Sequence, residues 1–447
     1  MVVTTPAFFA FLAGVYLLYW PLSRFRTLSL GVLVFANWFF AARWDLRYLA
    51  ILPAAGTADF LIALTLARVE QPVVRRLLML VSVAVNLGLI VAAKGALPLT
   101  LSFYAFQSLT YTLDVYRRDA NPTGSLLAHL ASASFFPTIL SGPITRVPSL
   151  VSQLESGERR LAPEDGGRAL FLIGLGLVKK LAIADYLGAN LVNRVFDFPN
   201  LYTASEVGIA VLAYAFQLYY DFSGYTDVAR GSALLLGLKL PENFDRPYLA
   251  ASLREFWRRW HITFSNWLRD YLFFSLPGHR ARWRVIPAMN LVITMALGGL
   301  WHGLTWNFLV WGLLHGFALA ATRLWQARRG RAAPAAGMRR TALIAVTFLY
   351  VCLTWVFFRA ADLPGALAIL SRIGSLTFSL ANVSWPLAGV LAIGVIGHFV
   401  PVRWFDGLRE FYARRPFYLQ GAALAAVLVG LLYVSSSGAA PFIYTRF

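Results

Sequence analysis

The sequence predicts an all-α polytopic membrane protein with about eleven to thirteen membrane segments, some of them re-entrant or interfacial. Three observations carry that expectation. Of 447 residues, 58% are apolar and only 14% charged, whereas a soluble globular surface takes roughly a quarter. Mean hydropathy is +0.62. Uncharged runs of about twenty residues, enough to cross ~30 Å of hydrocarbon, recur from end to end.

The expected spans follow in order. Apolar runs near 7–22, 28–42, 48–66, 74–93 and 97–115 are separated by short loops. Residues 126–145 are apolar but hold Pro137, Gly142 and Pro143, which favour a broken or re-entrant segment. A polar stretch at 152–168 precedes long runs at 169–193 and 204–220, and a shorter piece at 228–240 leads into Pro241-Glu-Asn-Phe-Asp-Arg-Pro247. Further spans are expected near 285–300, 304–322, 341–358, 386–401 and 418–435. We divide the chain into amino-terminal helices (1–120), a core with re-entrant and amphipathic helices (121–325) and carboxyl-terminal helices (326–447). No basic n-region precedes Arg24, so the first span is expected to stay in the mature protein.

Charge distribution narrows the function classes. The net charge of +19 comes from forty basic residues, all but four of them arginine, placed mostly in short gaps between apolar runs. That pattern fits membrane lipid headgroups and the positive-inside bias rather than nucleic acid, for which no basic patch on a soluble module exists. Loops holding Arg24/Arg26, Arg68/Arg75/Arg76, Arg117/Arg118, Arg323 to Arg340 and Arg403 to Arg415 should share the cytoplasmic side, with both termini outside. The lone Cys352 excludes a disulfide framework within one chain, and six scattered histidines argue against a dedicated metal site. Gly-x-Ser-x-Gly, phosphate-loop, dinucleotide and His-Glu-x-x-His signatures are missing.

Three regions break the apolar rule. Gln217-Leu-Tyr-Tyr-Asp221-Phe-Ser223-Gly-Tyr-Thr-Asp227 is either a helix end where Asp221 or Ser223 caps a following helix, or a polar cluster beside a water-filled cavity. At 253–271, Leu253, Phe256, Trp257, Trp260, Phe264, Trp267, Leu268 and Tyr271 form one helical stripe. Arg254, Arg258, Arg259 and Arg269 lie opposite, so an interfacial amphipathic helix is expected, with His261 at the edge of its apolar arc. Between Arg284 and Arg323 lie 38 residues without Asp, Glu, Lys or Arg, enough for two spans. His302 falls at their junction in Gly298-Gly-Leu-Trp301-His302-Gly, and His315 follows in the second span. A neutral imidazole suits a general base. Spacing alone leaves His302 open between catalyst and interhelical hydrogen-bond partner.

These residues carry a resemblance. Arg254-Glu-Phe-Trp-Arg-Arg-Trp-His261-Ile-Thr-Phe-Ser-Asn-Trp-Leu-Arg-Asp270, followed by Gly298-Gly-Leu-Trp-His302-Gly, resembles the core of the membrane-bound O-acyltransferase family, in its bacterial polysaccharide O-acetyltransferase branch. Phe136-Pro-Thr-Ile-Leu-Ser-Gly-Pro143, Tyr220-Asp-Phe-Ser-Gly-Tyr225, Pro241-Glu-Asn243-Phe244 and Pro441-Phe-Ile-Tyr-Thr-Arg-Phe447 extend it from about 135 to the end. The resemblance implies helices ringed around a funnel or tunnel, with His302 as the catalytic histidine and His261 as a second functional one. Asp221, Ser223, Asn243, Trp301 and Arg258 become supporting or substrate-binding candidates. It implies no permanently bound cofactor but an acyl thioester donor, often acetyl-coenzyme A. The acceptor would be a polysaccharide or a periplasmic acyl-relay protein, and the site of action the bacterial inner membrane. Two other readings are D-alanyl transfer from a carrier protein to teichoic acid and a transporter without catalysis. One departure is Ser275-Leu-Pro-Gly-His-Arg280, where the branch usually continues toward a Pro-Leu-Gly-Gly-Asn-Arg type loop. It lies near the presumed cytoplasmic entrance and bears on donor or partner identity.

Overall fold

A computed structural model describes all residues except 1, 94–99, 157–159, 280, 282, 330–334 and 435–447. Lys94, Arg280 and the Pro441 to Phe447 ending therefore lie outside the described residues. Among those described, the chain is helical and contains no strand.

The first five helices are α1 (Pro6–Leu22), α2 (Arg26–Ala42), α3 (Tyr48–Arg68), α4 (Pro72–Ala92) and α5 (Thr100–Arg117). They match the apolar runs because prolines sit where a missing N–H costs nothing, at the starts of α1 and α4, and arginines bracket the runs. The expected break at 126–145 is present as α6 (Leu126–Ala133) and the single turn α7 (Phe136–Ile139). Asn37 of α2 joins the two. Its amide donates to the Ala131 carbonyl at 3.0 Å and accepts from the Phe136 N–H at 2.9 Å, supplying the partners that the broken backbone lacks.

After α8 (Val147–Glu155), helix α9 (Pro163–Leu177) continues into a π-helical stretch, Val178–Ala184. This packs on α10 (Ala204–Leu235), and here the expectation fails. The break foreseen around 220–228 does not exist, because α10 is one helix of 32 residues with 25 of them buried. Asp221 caps nothing. It is 0% exposed and paired with Lys180 from the π-helical stretch. The pairing needs close backbones, and a Cβ on Gly224 would stand 2.7 Å from the Gly176 carbonyl oxygen.

The amphipathic segment is also not one helix. It divides into α11 (Leu253–Arg259) and α12 (Ile262–Trp267), followed by a π-helical turn, Leu268–Leu272. The division falls at His261, which adopts left-handed φ of 41°. Of the stripe, Phe256, Trp260, Phe264, Leu268 and Tyr271 are buried within the protein, while Leu253, Trp257 and Trp267 are half-buried.

Helices α13 (Val285–His302) and α14 (Trp306–Arg329) form a hairpin, turning just after His302. Glycines let the two backbones touch, and a Cβ on Gly299 would overlap the Phe308 carbonyl oxygen. Beyond it stand α15 (Gly337–Arg359), α16 (Leu363–Gly374), α17 (Trp385–Phe399), α18 (Val402–Ala413) and α19 (Phe417–Val434). Sequence reasoning missed α16, and it read α18 as a basic loop. In fact α18 follows α17 at a 93° bend.

Among the described residues, six helices are long and apolar enough to cross a membrane, or seven if α17 and α18 count as one span. Four further apolar segments, Pro6–Leu22, Arg26–Ala42, Leu126–Ile139 and Leu363–Gly374, are shorter. The chain is thus a multi-pass membrane protein. Among the described residues a large apolar cluster runs from Val3 to Leu431, with smaller ones around Phe264 and Trp301 and around Ala288 and Val292.

Candidate active site

The site is built where the link at 241–247 crosses the break between α11 and α12. Ile262 N–H donates to the Asn243 carbonyl and Asp245 N–H to the Arg259 carbonyl, each at 2.9 Å. The Asn243 carboxamide oxygen accepts from both the backbone N–H and the hydroxyl of Thr263, at 3.2 and 2.9 Å. The Thr263 hydroxyl in turn accepts from Ile144 N–H at 3.0 Å. This lacing holds His261 and Arg246 in left-handed conformations, φ 41° and 43°. Such a state costs a non-glycine residue about 1–3 kcal/mol and persists only where the surroundings over-determine it.

His261 is 1% exposed and His302 4% exposed. The ring of Phe264 lies against both, stacked on His261 with centroids 4.9 Å apart and edge-on to His302 at 5.9 Å. Phe222 of α10 meets His261 at 4.6 Å. Around His302 stand Trp301, Trp311, Phe308 and Phe358, at 4.6 to 6.0 Å. The two histidines expected from sequence are therefore brought to one aromatic chamber. Trp301, 7% exposed, forms its wall with Phe103 and Phe106 at 5.3 Å.

His315 belongs to the scaffold. Its Nδ1 accepts from the Trp257 indole N–H at 3.3 Å, which leaves Nε2–H to donate to the Thr354 hydroxyl at 2.9 Å. Thr354 passes its own proton to the Val351 carbonyl at 2.8 Å. Both ring nitrogens are thus used in tying α11, α14 and α15 together.

The other candidates separate. Asn243 and Ser223 are 1% and 3% exposed, whereas Arg258 is on the exposed side of α11. Asp221 shares Lys180 with Asp185, whose carboxylate lies 2.7 Å away, while Lys179 pairs with Asp227 at 2.6 Å. The pairing of the two lysines with α10 went unread in the sequence because Asp221 and Asp227 lie 41 and 48 residues further on, although paired lysines inside an apolar run are themselves a signal. A second buried carboxylate also escaped notice. Asp59 of α3 accepts from Ser82 and Ser108 at 2.7 Å and from Asn86 at 2.9 Å.

A cavity of about 770 Å³ opens beside the chamber. Arg254, Arg269, Arg284 and Arg323 contribute to its lining, and Trp257, Leu268 and Met295 form apolar parts of it. Leu268 also packs with Phe264 and Trp301 in the chamber wall, so one leucine side chain is common to both spaces. No group of three or more metal-ligating side chains occurs among the described residues.

The sequence profile of the membrane-bound O-acyltransferase family matches residues 75–361, which takes in the link, both histidines and the hairpin. The chain belongs to that family. It is accordingly a membrane O-acyltransferase. It is 34% identical over 412 residues to a probable alginate O-acetylase of Pseudomonas fluorescens, covering 88% of this chain and 79% of that one. To a peptidoglycan O-acetyltransferase of Helicobacter pylori it is 32% identical over 433 residues, covering 85% and 81%. A teichoic acid D-alanyltransferase of Streptococcus thermophilus is 31% identical over 202 residues, 43% of this chain and 48% of that one. Against the probable alginate O-acetylases of Pseudomonas aeruginosa and Azotobacter vinelandii the match spans 59% and 62% of their length.

Proposed function

We propose that the protein transfers an acetyl group from a thioester donor, acetyl-coenzyme A or a related acyl thioester, to a hydroxyl of an exported polysaccharide or of an acyl-relay partner. The observation that carries this reading is the pair of buried histidines against one phenyl ring, separated by Leu268 from a cavity with four arginines. In the mechanism, neutral His302 takes the proton of the acceptor hydroxyl as its oxygen attacks the thioester carbonyl, and the thiolate leaves with that proton or one from solvent. His261 orients a reactant, and Asn243 keeps His261 in its left-handed turn. Holding both reactants in one chamber supplies much of the acceleration by alignment. The arginine-bearing cavity suits a donor with phosphates on its polar end and a long apolar arm.

The basic loops face the cytoplasm in this reading, in a bacterial inner membrane, so the donor enters from inside. Labelling a cysteine placed at position 76 in a Cys352→Ala background tests that orientation, and labelling from outside overturns it. Transfer itself is tested with purified protein in proteoliposomes, given radiolabelled acetyl-coenzyme A or D-alanyl carrier protein and a polysaccharide acceptor. Acetyl incorporation is expected. Incorporation of D-alanine alone would shift the assignment to the teichoic acid branch, and absence of any covalent product would favour transport.

A further inference from the structure

A second cavity, about 530 Å³, lies at the ends of α4 and α5, and it shares no lining residue with the first. Arg75, Arg76, Arg117 and Arg118 line it together with Tyr116, and Glu70 is the one carboxylate of the lining. Two of these arginines build the walls. Arg75, 8% exposed, donates to the carbonyls of Leu66, Val69 and Tyr116 and fixes α3, α4 and α5 at this end. Arg117 donates to the Asp270 carbonyl at 2.8 Å and the Ser275 hydroxyl at 2.9 Å. Arg76 and Arg118 remain. Both are exposed, and neither makes an ion pair among the described residues. Arg118 is carried by a backbone with φ of 65°.

What continues from this cavity decides its ligand. Arg76 sits on α4 one turn before Leu80 and next to Leu77, so an apolar face runs from it toward the middle of the helix. Leu77, Leu80 and Val81 are 58%, 49% and 51% exposed, and the apolar part of α4 is only 17% buried within the protein. In a bilayer that face meets acyl chains. A pair of guanidinium groups above an apolar track is the complement of an anionic headgroup above its hydrocarbon tails, and basic pockets between helices on the cytoplasmic side suit such headgroups. A soluble phosphate would have no use for the track.

The geometry points to a specific site for an anionic glycerophospholipid, its phosphate held by Arg76 and Arg118 and its chains lying along Leu77, Leu80 and Val81. This goes beyond the acyl-transfer reading and does not depend on it. Native mass spectrometry of the purified full chain, with phosphatidylglycerol or phosphatidylcholine added, tests it. Wild type is expected to retain phosphatidylglycerol with a preference of roughly 30-fold, about fivefold from each guanidinium. Arg76→Gln should lose about fivefold of that preference, and Arg76→Ala/Arg118→Ala nearly all, with melting temperature in phosphatidylcholine kept. If the double variant is unstable, the exposed single substitution decides the matter. Unchanged preference in Arg76→Gln overturns the proposal. So does full competition by excess inorganic phosphate, which would make the cavity an anion site without use for the chains.

Discussion

Replacing His302 separates a scaffold from a catalyst. The imidazole fills a chamber bounded by Trp301, Phe308, Trp311 and Phe358 at 4.6 to 6.0 Å, and is 4% exposed. Truncation to alanine leaves a void in a close-packed aromatic environment, so His302→Ala should lower stability by about 2–3 kcal/mol. His302→Gln keeps most of the volume and a hydrogen-bonding amide, and its stability cost should be about 1 kcal/mol or less. If His302 moves the proton of the acceptor hydroxyl, both variants lose turnover by roughly 10²-fold or more, despite their different stabilities. The assay is transfer of a radiolabelled acyl group at donor saturation, with purified proteins compared below their melting transitions. Turnover that follows stability, with His302→Gln near wild type, would refute the catalytic role and move the chemistry to His261.

Lys180→Met should cost about 3–5 kcal/mol by stranding the buried Asp221, and adding Asp221→Leu should restore most of it, as measured by thermal unfolding in detergent. Asn243→Ala removes the acceptor for both Thr263 donors and frees the His261 turn. It should lower kcat more than it raises the donor KM, whereas Arg284→Ala/Arg323→Ala should chiefly raise the donor KM. Glu255 pairs with Arg259 of its own helix at 3.0 Å and links α11 to α15 through Arg340 at 3.3 Å. Burial pushes its carboxyl pKa upward, but the Ala251 N–H and the two arginines outweigh it and hold it below the ordinary 4.5. A depressed carboxylate stabilises the fold above its unfolded pKa and loses that contribution as pH falls through the folded one. Melting curves of wild type and Glu255→Gln should therefore differ at pH 7 and converge as pH falls through the depressed folded pKa. Equal separation at pH 7 and below that pKa would exclude the ionic link.

The amino-terminal helices were legible because each apolar run there is closed by an arginine or opened by a proline, signals confined to a few residues. The broken segment after α5 was legible for the same reason, in Pro137 and Gly142. Misreadings cluster where long-range partners act. Asp221 and Asp227 look like the end of a helix until Lys179 and Lys180 are set opposite them. Periodicity over 253–271 is continuous, and only the lacing by Asn243 and Thr263 interrupts it at His261. Both histidines were found, yet neither Phe264 between them nor the cavity behind Leu268 follows from spacing, since each is made by elements far apart in the chain.

The π-helical stretch at 178–184 has a consequence for how this chain tolerates insertion and deletion. A π-turn is an α-turn carrying one extra residue. Its wider winding brings neighbouring side chains closer in azimuth, so Lys179 and Lys180 can both address α10. Deleting one residue there would restore ordinary winding of about 100° per residue and spread the two lysines apart in azimuth. One lysine would then swing toward lipid, orphaning its carboxylate. Length variation should be far better accepted in the loops than in this lysine-bearing run, where a single codon decides whether both lysines face α10.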